Sequence, residues 1–190
     1  MTEKQIIEGC QAGDPSARRE LYERYGSKML GVCLRYVRDR ETAHDLLHDG
    51  FITIYTKIGD YRGEGAFEGW MRRIFVNISL GYLRRQRPML GAEAATESRT
   101  LSDDGISALE RLSAEELLGM FGQLAEGYRV ILNLYAVEGY SHKEIGELLH
   151  ISENTSRSQY SRARGRLQEL LLRQRERERA SMDGAAHEPE

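Results

Sequence analysis

Cysteine is nearly absent from this chain: of 190 residues only Cys10 and Cys33 carry thiols. They form no C-x-x-C pair and no spaced Cys/His quartet, which excludes a disulfide framework and a structural zinc site and fits a reducing compartment. Proline is also scarce, at three residues, and no convincing alternation of apolar and polar residues marks a strand. Long apolar runs are missing too. The first segment, MTEKQIIEGCQAGD, is polar, so neither a signal peptide nor a membrane anchor is expected, and the protein reads as cytoplasmic with no membrane insertion. There is no glycine-rich phosphate loop, no nucleophile motif and no paired-carboxylate site, so bond-making chemistry, cofactors and a catalytic site are not expected. The net charge of −3 at first argues against a nucleic-acid partner. That average hides segregation: Met71 to Arg87 holds five arginines and no acid, whereas Glu93 to Glu116 holds seven acidic residues against two arginines.

What is present is helical periodicity, enough for two small domains. Asp14-Pro15 predicts a helix start with Pro15 in the first helical position, followed by Tyr22, Tyr25, Met29, Cys33 and Tyr36 or Val37 on one face. After a polar break at Asp39 to Thr42, a second amphipathic helix places Ala43, Leu47, Phe51, Ile54 and Ile58 inward and ends at Gly59. Asp60 to Gly65 reads as a glycine-flexed loop. A third helix spans about Phe67 to Arg87, with Phe67, Trp70 or Met71, Ile74 and Ile78 inward. From Pro88 to about Leu112 the pattern lapses into Ala, Ser, Thr, Gly and acid, which reads as a linker. Two further helices follow, Ala114 to Leu124 and Tyr128 to Val137, with Leu117, Leu118, Phe121, Leu124, Ile131, Leu134, Tyr135 and Ile145 as a small core. The expected class is therefore all-α, two small helical domains joined by a flexible acidic linker: 1–87, linker 88–112, 113–173, and a charged, partly disordered tail 174–190.

The most specific stretch is Tyr140 to Leu171, which reads as a helix-turn-helix. Ser141 is a good N-cap with Glu144 three residues on, and Ile145, Leu148 and Leu149 give the first helix its apolar face. Ile151 plugs the turn. Ser152 or Asn154 caps the second helix, whose apolar positions Tyr160, Ala163, Leu167 and Leu170 or Leu171 pack inward. Arg157, Ser158, Gln159, Ser161, Arg162, Arg164 and Arg166 are expected outward, with no acid between Glu153 and Glu169. Such a face suits the major groove, where polar side chains read base edges and arginines engage guanine and phosphate. A solvated face of a structural helix pair is the alternative.

Three segments in order resemble one family. His44 to Phe51 (H-D-L-L-H-D-G-F) resembles a polymerase-binding segment written around D-L-V-Q-E-x-F. Tyr61-Arg62-Gly63, Phe67 to Ile74 and Asn77 resemble F-R-G...F-x-x-W-L-x-R-I...N. Tyr140 to Leu167 resembles L-S-Y-x-E-I-A...G-I-S-x-G-T-V-x-S-R-x-x-R-A-R-x-x-L. Together, over roughly residues 5 to 172, the chain resembles the extracytoplasmic-function group of bacterial sigma factors. The resemblance implies core RNA polymerase and promoter DNA as partners, with an anti-sigma factor as a further one. It implies that Asp45, His48 and Asp49 dock on a coiled coil of the largest polymerase subunit. Tyr61 would enclose a flipped minus-ten base and Asn77 would offer its amide to that base, while Arg72, Arg73, Arg84 and Arg85 track phosphates. Arg157, Ser158, Ser161 and Arg162 would read minus-thirty-five duplex, with Thr155 and Arg164 nearer the backbone. Asn154, Ser156 and Gln159 depart from the pattern's glycine, valine and arginine, and Gln159 could pair with adenine. The acidic linker is either a solvated spacer or, by resemblance, a segment lying in the positively lined RNA exit path.

Two other classes compete. A stand-alone helix-turn-helix regulator would explain the C-terminal half, but it needs neither a polymerase-docking helix nor an aromatic, arginine-rich single-strand reader. A helical adaptor or metal module would use His44 and His48, four residues apart on one helix, although no third and fourth ligands lie nearby in sequence.

Overall fold

A computed structural model describes residues 1–86 and 114–185, with side chains described for 1–86 and 119–177. All regular structure among the described residues is helical. The chain divides into two compact units between Pro88 and Met89, and the expected linker at 88–112 lies outside the described residues.

Among its described residues the first unit holds four α-helices: α1 (Glu3–Gln11), α2 (Pro15–Tyr36), α3 (Arg40–Lys57) and α4 (Phe67–Gln86). Helix α1 was not foreseen from its polar sequence. It begins at a capping box in which Thr2 and Gln5 satisfy each other's backbone N–H groups, and it buries Ile6 and Cys10. Pro15 opens α2 as expected, with the Asp14 carboxylate accepting from the Ser16 amide at 2.9 Å. Asp39 caps α3 by accepting from the Thr42 amide and hydroxyl, both at 2.6 Å. Those bonds favour the ionised carboxyl and lower its pKa. The polar break thus reduces to a cap.

The core joins Leu21, Met29, Val32 and Tyr36 of α2 to Leu46, Phe51 and Ile54 of α3 and Met71, Phe75 and Leu80 of α4. Burying each large apolar side chain contributes about 1.5–3 kcal/mol. Two expectations need correction. The inward stripe of α4 is Phe67, Met71, Phe75, Val76, Leu80 and Leu83, while Ile74 and Ile78 are only half-buried. Tyr22 is 46% exposed, its ring packing against Phe51 at 4.8 Å from one side. Helix α3 and helix α4 approach so closely at Gly50 that a Cβ there would lie 1.9 Å from Phe75 Cε1.

The second unit holds α5 (Ala114–Gln123), α6 (Glu126–Leu132), a π-helical segment (Asn133–Val137), α7 (His142–Leu149) and α8 (Glu153–Ala185). Its core includes Met120, Phe121, Leu124, Leu132, Ala163, Leu167 and Leu171, with Tyr128, Tyr160 and Leu170 packed against them. The side chains of Leu117 and Leu118 lie outside the described residues. Tyr135, expected in the core, is 39% exposed, because the π-helical turn rotates it off the inward stripe. Ser141 and Glu144 form the predicted capping box of α7. Helix α8 runs to Ala185, so part of the expected tail is helical.

Candidate nucleic-acid interfaces

In the second unit, α7, a three-residue turn and α8 form a helix-turn-helix. His150 ends α7 in the left-handed conformation (φ 56°), its amide bonding back to the Gly146 carbonyl, which also accepts from Ile151 at 3.0 Å. The approach is tight enough that a Cβ on Gly146 would meet the Ile151 carbonyl oxygen at 2.7 Å. Ser152, one of the two expected caps, fills the role: its hydroxyl accepts from the Thr155 amide at 3.0 Å and bonds the Thr155 hydroxyl at 2.8 Å.

The start of α8 presents Arg157, Ser158 and Ser161 exposed and Arg162 partly so, on the side opposite Ala163 and Leu167. Arg157 pairs with Glu153 one turn earlier and Arg166 with Glu169 at 2.6 Å. Exposed pairs of this kind are worth well under about 1 kcal/mol, so a phosphate or a guanine can displace the carboxylate. Thr155 and Arg164 are half-buried at the edges of the face.

Gln159 must be removed from the reading face. It is 3% exposed, because it sits four residues before Ala163 and one turn after the fully buried Ser156, on the inward stripe. Buried there, Gln159 does not present its amide to an adenine. Ser156 itself accounts for a second surprise: its hydroxyl lies 3.0 Å from Nδ1 of His142, which is itself buried. The imidazole stacks on Tyr135 at 4.3 Å and meets Tyr160 edge-on at 5.7 Å. Desolvation lowers the His142 pKa, reinforced by Arg157 and opposed by Glu153.

In the first unit, a 3-10 turn (Ile58–Asp60) delivers the chain to the predicted loop, where Gly63 and Gly65 adopt φ of 78° and 80°. Tyr61 is half-buried. Its ring packs on Phe67 at 5.0 Å and Trp70 at 5.5 Å, and its hydroxyl donates to the Gly65 carbonyl at 2.8 Å. Trp70 is likewise half-buried and lies parallel to Phe67, 16° between planes, so it belongs to this aromatic cluster and not to the deep core. Behind the loop, α1 holds the turn: Gln11 donates to the Ile58 carbonyl at 3.1 Å.

An open groove of about 480 Å³ runs between α3 and α4, lined by Asp49, Ile52, Thr53 and Lys57 on one side and Ile74, Asn77, Ile78, Gly81 and Arg85 on the other. It brings together Asn77 and Arg85 with Asp49, residues that sequence reasoning had assigned to different partners. Arg73, Arg84 and Arg85 are exposed and Arg72 half-buried along α4. Asp45, His48 and Asp49 are exposed on α3. Ile52, 51% exposed, and Lys57 were missed; the signal for Ile52 was an apolar residue one step off the inward stripe. His44 and His48 are exposed, and no group of three or more His, Cys, Asp or Glu side chains suited to a metal occurs among the described residues.

Known proteins show the same organisation. The Sigma-70 region 2 family model matches residues 21–88 and the Sigma-70, region 4 model residues 114–167. The ECF RNA polymerase sigma-E factor of Haemophilus influenzae is 33% identical over 175 residues, 86% of this chain and 92% of that protein. This chain belongs to the extracytoplasmic-function sigma factors. The RNA polymerase sigma-H factor of Pseudomonas aeruginosa is 30% identical over 180 residues, 89% and 93% of the two chains. Among solved structures, CnrH in complex with the cytosolic domain of CnrY shares the fold, with a TM-score of 0.50 and 22% identity over 89% of this chain and 96% of that one.

The sigma factor is thus an alternative initiation subunit that binds core RNA polymerase and promoter DNA. The two matched regions fall one in each compact unit: region 2 runs from within α2 through α4, and region 4 from α5 into the first half of α8. No described helix is long and apolar enough to cross a membrane.

Proposed function

We propose that the two units of this sigma factor grip the two ends of one promoter. Region 4 lays the start of α8 in the major groove at minus thirty-five, with Arg157, Ser158, Ser161 and Arg162 at base edges and Thr155 and Arg164 beside the backbone. Region 2 captures melted minus-ten bases. Tyr61 encloses a flipped base, Asn77 meets its edge from the α3–α4 groove, and Arg72, Arg73, Arg84 and Arg85 follow phosphates. Asp45, His48 and Asp49 dock on a coiled coil of the largest polymerase subunit, Asp49 doing so from the rim of the same groove. The chain acts in the cytoplasm and catalyses no bond chemistry of its own. An anti-sigma partner belongs to the same proposal.

The observation that carries this reading is the face of exposed Arg157, Ser158 and Ser161 and partly exposed Arg162 on a capped helix in a helix-turn-helix, opposite its buried stripe. Arg162→Ala should weaken specific promoter binding by holoenzyme about tenfold, the loss expected of one base contact worth about 1–3 kcal/mol. Unchanged footprinting over minus thirty-five would refute the assignment.

A further inference from the structure

The helix-turn-helix is cross-braced by a buried hydrogen bond between its two helices. His142 is the first residue of α7 and Ser156 lies in the first turns of α8. Their Nδ1 and Oγ atoms are 3.0 Å apart, with His142 8% exposed and Ser156 fully buried. The imidazole plane is fixed by Tyr135, 13° from parallel, and Tyr160 closes the cluster 4.4 Å from Tyr135. Aligned on the pattern L-S-Y-x-E-I-A...T-V-x-S-R, His142 stands at the tyrosine and Ser156 at the valine. These two departures from the pattern therefore touch each other.

An apolar contact tolerates sliding and rotation, whereas a hydrogen bond weakens steeply outside a narrow range of distance and angle. A buried bond between α7 and α8 consequently fixes the tilt and depth of α8 relative to the rest of region 4. Arg157, next to Ser156, and Ser158, Ser161 and Arg162 project from these same turns.

We infer that the His142–Ser156 pair is a positioning element that sets the pose of α8 on duplex DNA, and so which upstream sequence this sigma factor selects. The inference rests on the proposed reading of minus thirty-five by α8. Neither residue touches DNA. Each acts through the placement of its exposed neighbours.

The test is selection from a promoter library, minus-thirty-five randomised and minus-ten constant, by holoenzyme reconstituted from core polymerase and the full chain. The variants are His142→Tyr with Ser156→Val, which restores the two residue types of the pattern, His142→Tyr alone, and Ser156→Ala, which removes one oxygen. The double variant should melt as the parent does yet prefer different bases at one or more upstream positions, and bind the parent's site about five- to tenfold more weakly, the cost of misplacing one base contact. His142→Tyr alone should bind more weakly than the double variant, the non-additivity of a directly coupled pair. Ser156→Ala should shift selection away from the parent site as well, and it carries the test if the double variant does not fold. Selection of the parent sequence with parent affinity by both the double variant and Ser156→Ala would overturn the inference. A parent that initiates with no upstream preference would overturn both this inference and the proposed role of region 4, and the parent's own profile identifies that case.

Discussion

Gly50→Ala should destabilise the first unit even though alanine is the better helix former. Gly50 lies inside α3, and a Cβ built on it would fall 1.9 Å from Cε1 and 2.5 Å from Cδ1 and Cζ of Phe75. Phe75 is fully buried and packed edge-on against Phe51 at 5.5 Å, so its ring has nowhere to swing. Overpacking of this kind costs about 1–3 kcal/mol, and a clash with a core ring belongs at the upper end. The propensity gain from glycine to alanine returns about 1 kcal/mol. The net is a loss of about 1–2 kcal/mol, or roughly 5–15 °C in the melting temperature of a unit this size. Gly31 of α2 supplies the control, since a Cβ there meets nothing within 4 Å. Gly31→Ala should raise stability by about 0.5–1 kcal/mol. The single tryptophan, Trp70, lies in this unit and its fluorescence follows the melting. A Gly50→Ala variant as stable as the parent would refute the close packing of α3 on α4.

His150→Gly should stabilise the second unit by about 0.5–1 kcal/mol in urea unfolding, because a side-chain-bearing residue pays about 1–2 kcal/mol in the left-handed region and glycine's extra unfolded-state entropy offsets part of the gain. His142 predicts a pH dependence: its folded pKa lies below the ordinary 6.5, so the unfolded chain takes up the proton first. Its contribution should be complete above about pH 6.5 and be lost progressively as pH falls below that value, and His142→Tyr should abolish this component in melts recorded against pH. Asn77→Ala should impair open-complex formation while leaving core binding intact; equal permanganate reactivity of melted thymines in variant and parent would contradict the role of Asn77.

Much of the fold was legible because caps and stripes are local. Asp14-Pro15 and Ser141 with Glu144 announce helix starts through side chains that bond the nearest free amides, and Ala43, Leu47, Phe51, Ile54 and Ile58 repeat at a spacing only one face of a helix produces. Helix α1 escaped notice although Thr2 and Gln5 spell the same capping box, because it buries only Ile6 and Cys10. The stripe of α4 was misread for a different reason. Ile74 and Ile78 run beside Phe75 and Val76, and which apolar edge faces inward depends on where α2 and α3 lie. Polar burial was the least legible. Gln159 and Ser156 look outward by residue type, yet their positions on the inward stripe of α8 overrule type, and the partner of Ser156 is fourteen residues away in sequence. Within the candidate sites, the proposed readers rest on motifs, whereas the groove that unites Asp49 with Asn77 exists only once α3 packs against α4.

Promoter selection by this sigma factor is measured by combining the purified chain with core RNA polymerase on genomic DNA and mapping the transcript starts. The expected result is stable association with core and starts clustered downstream of a shared pair of minus-thirty-five and minus-ten sequences at constant spacing, none of them produced by core alone. A chain that fails to join core, or joins it and leaves initiation unselective, would contradict it.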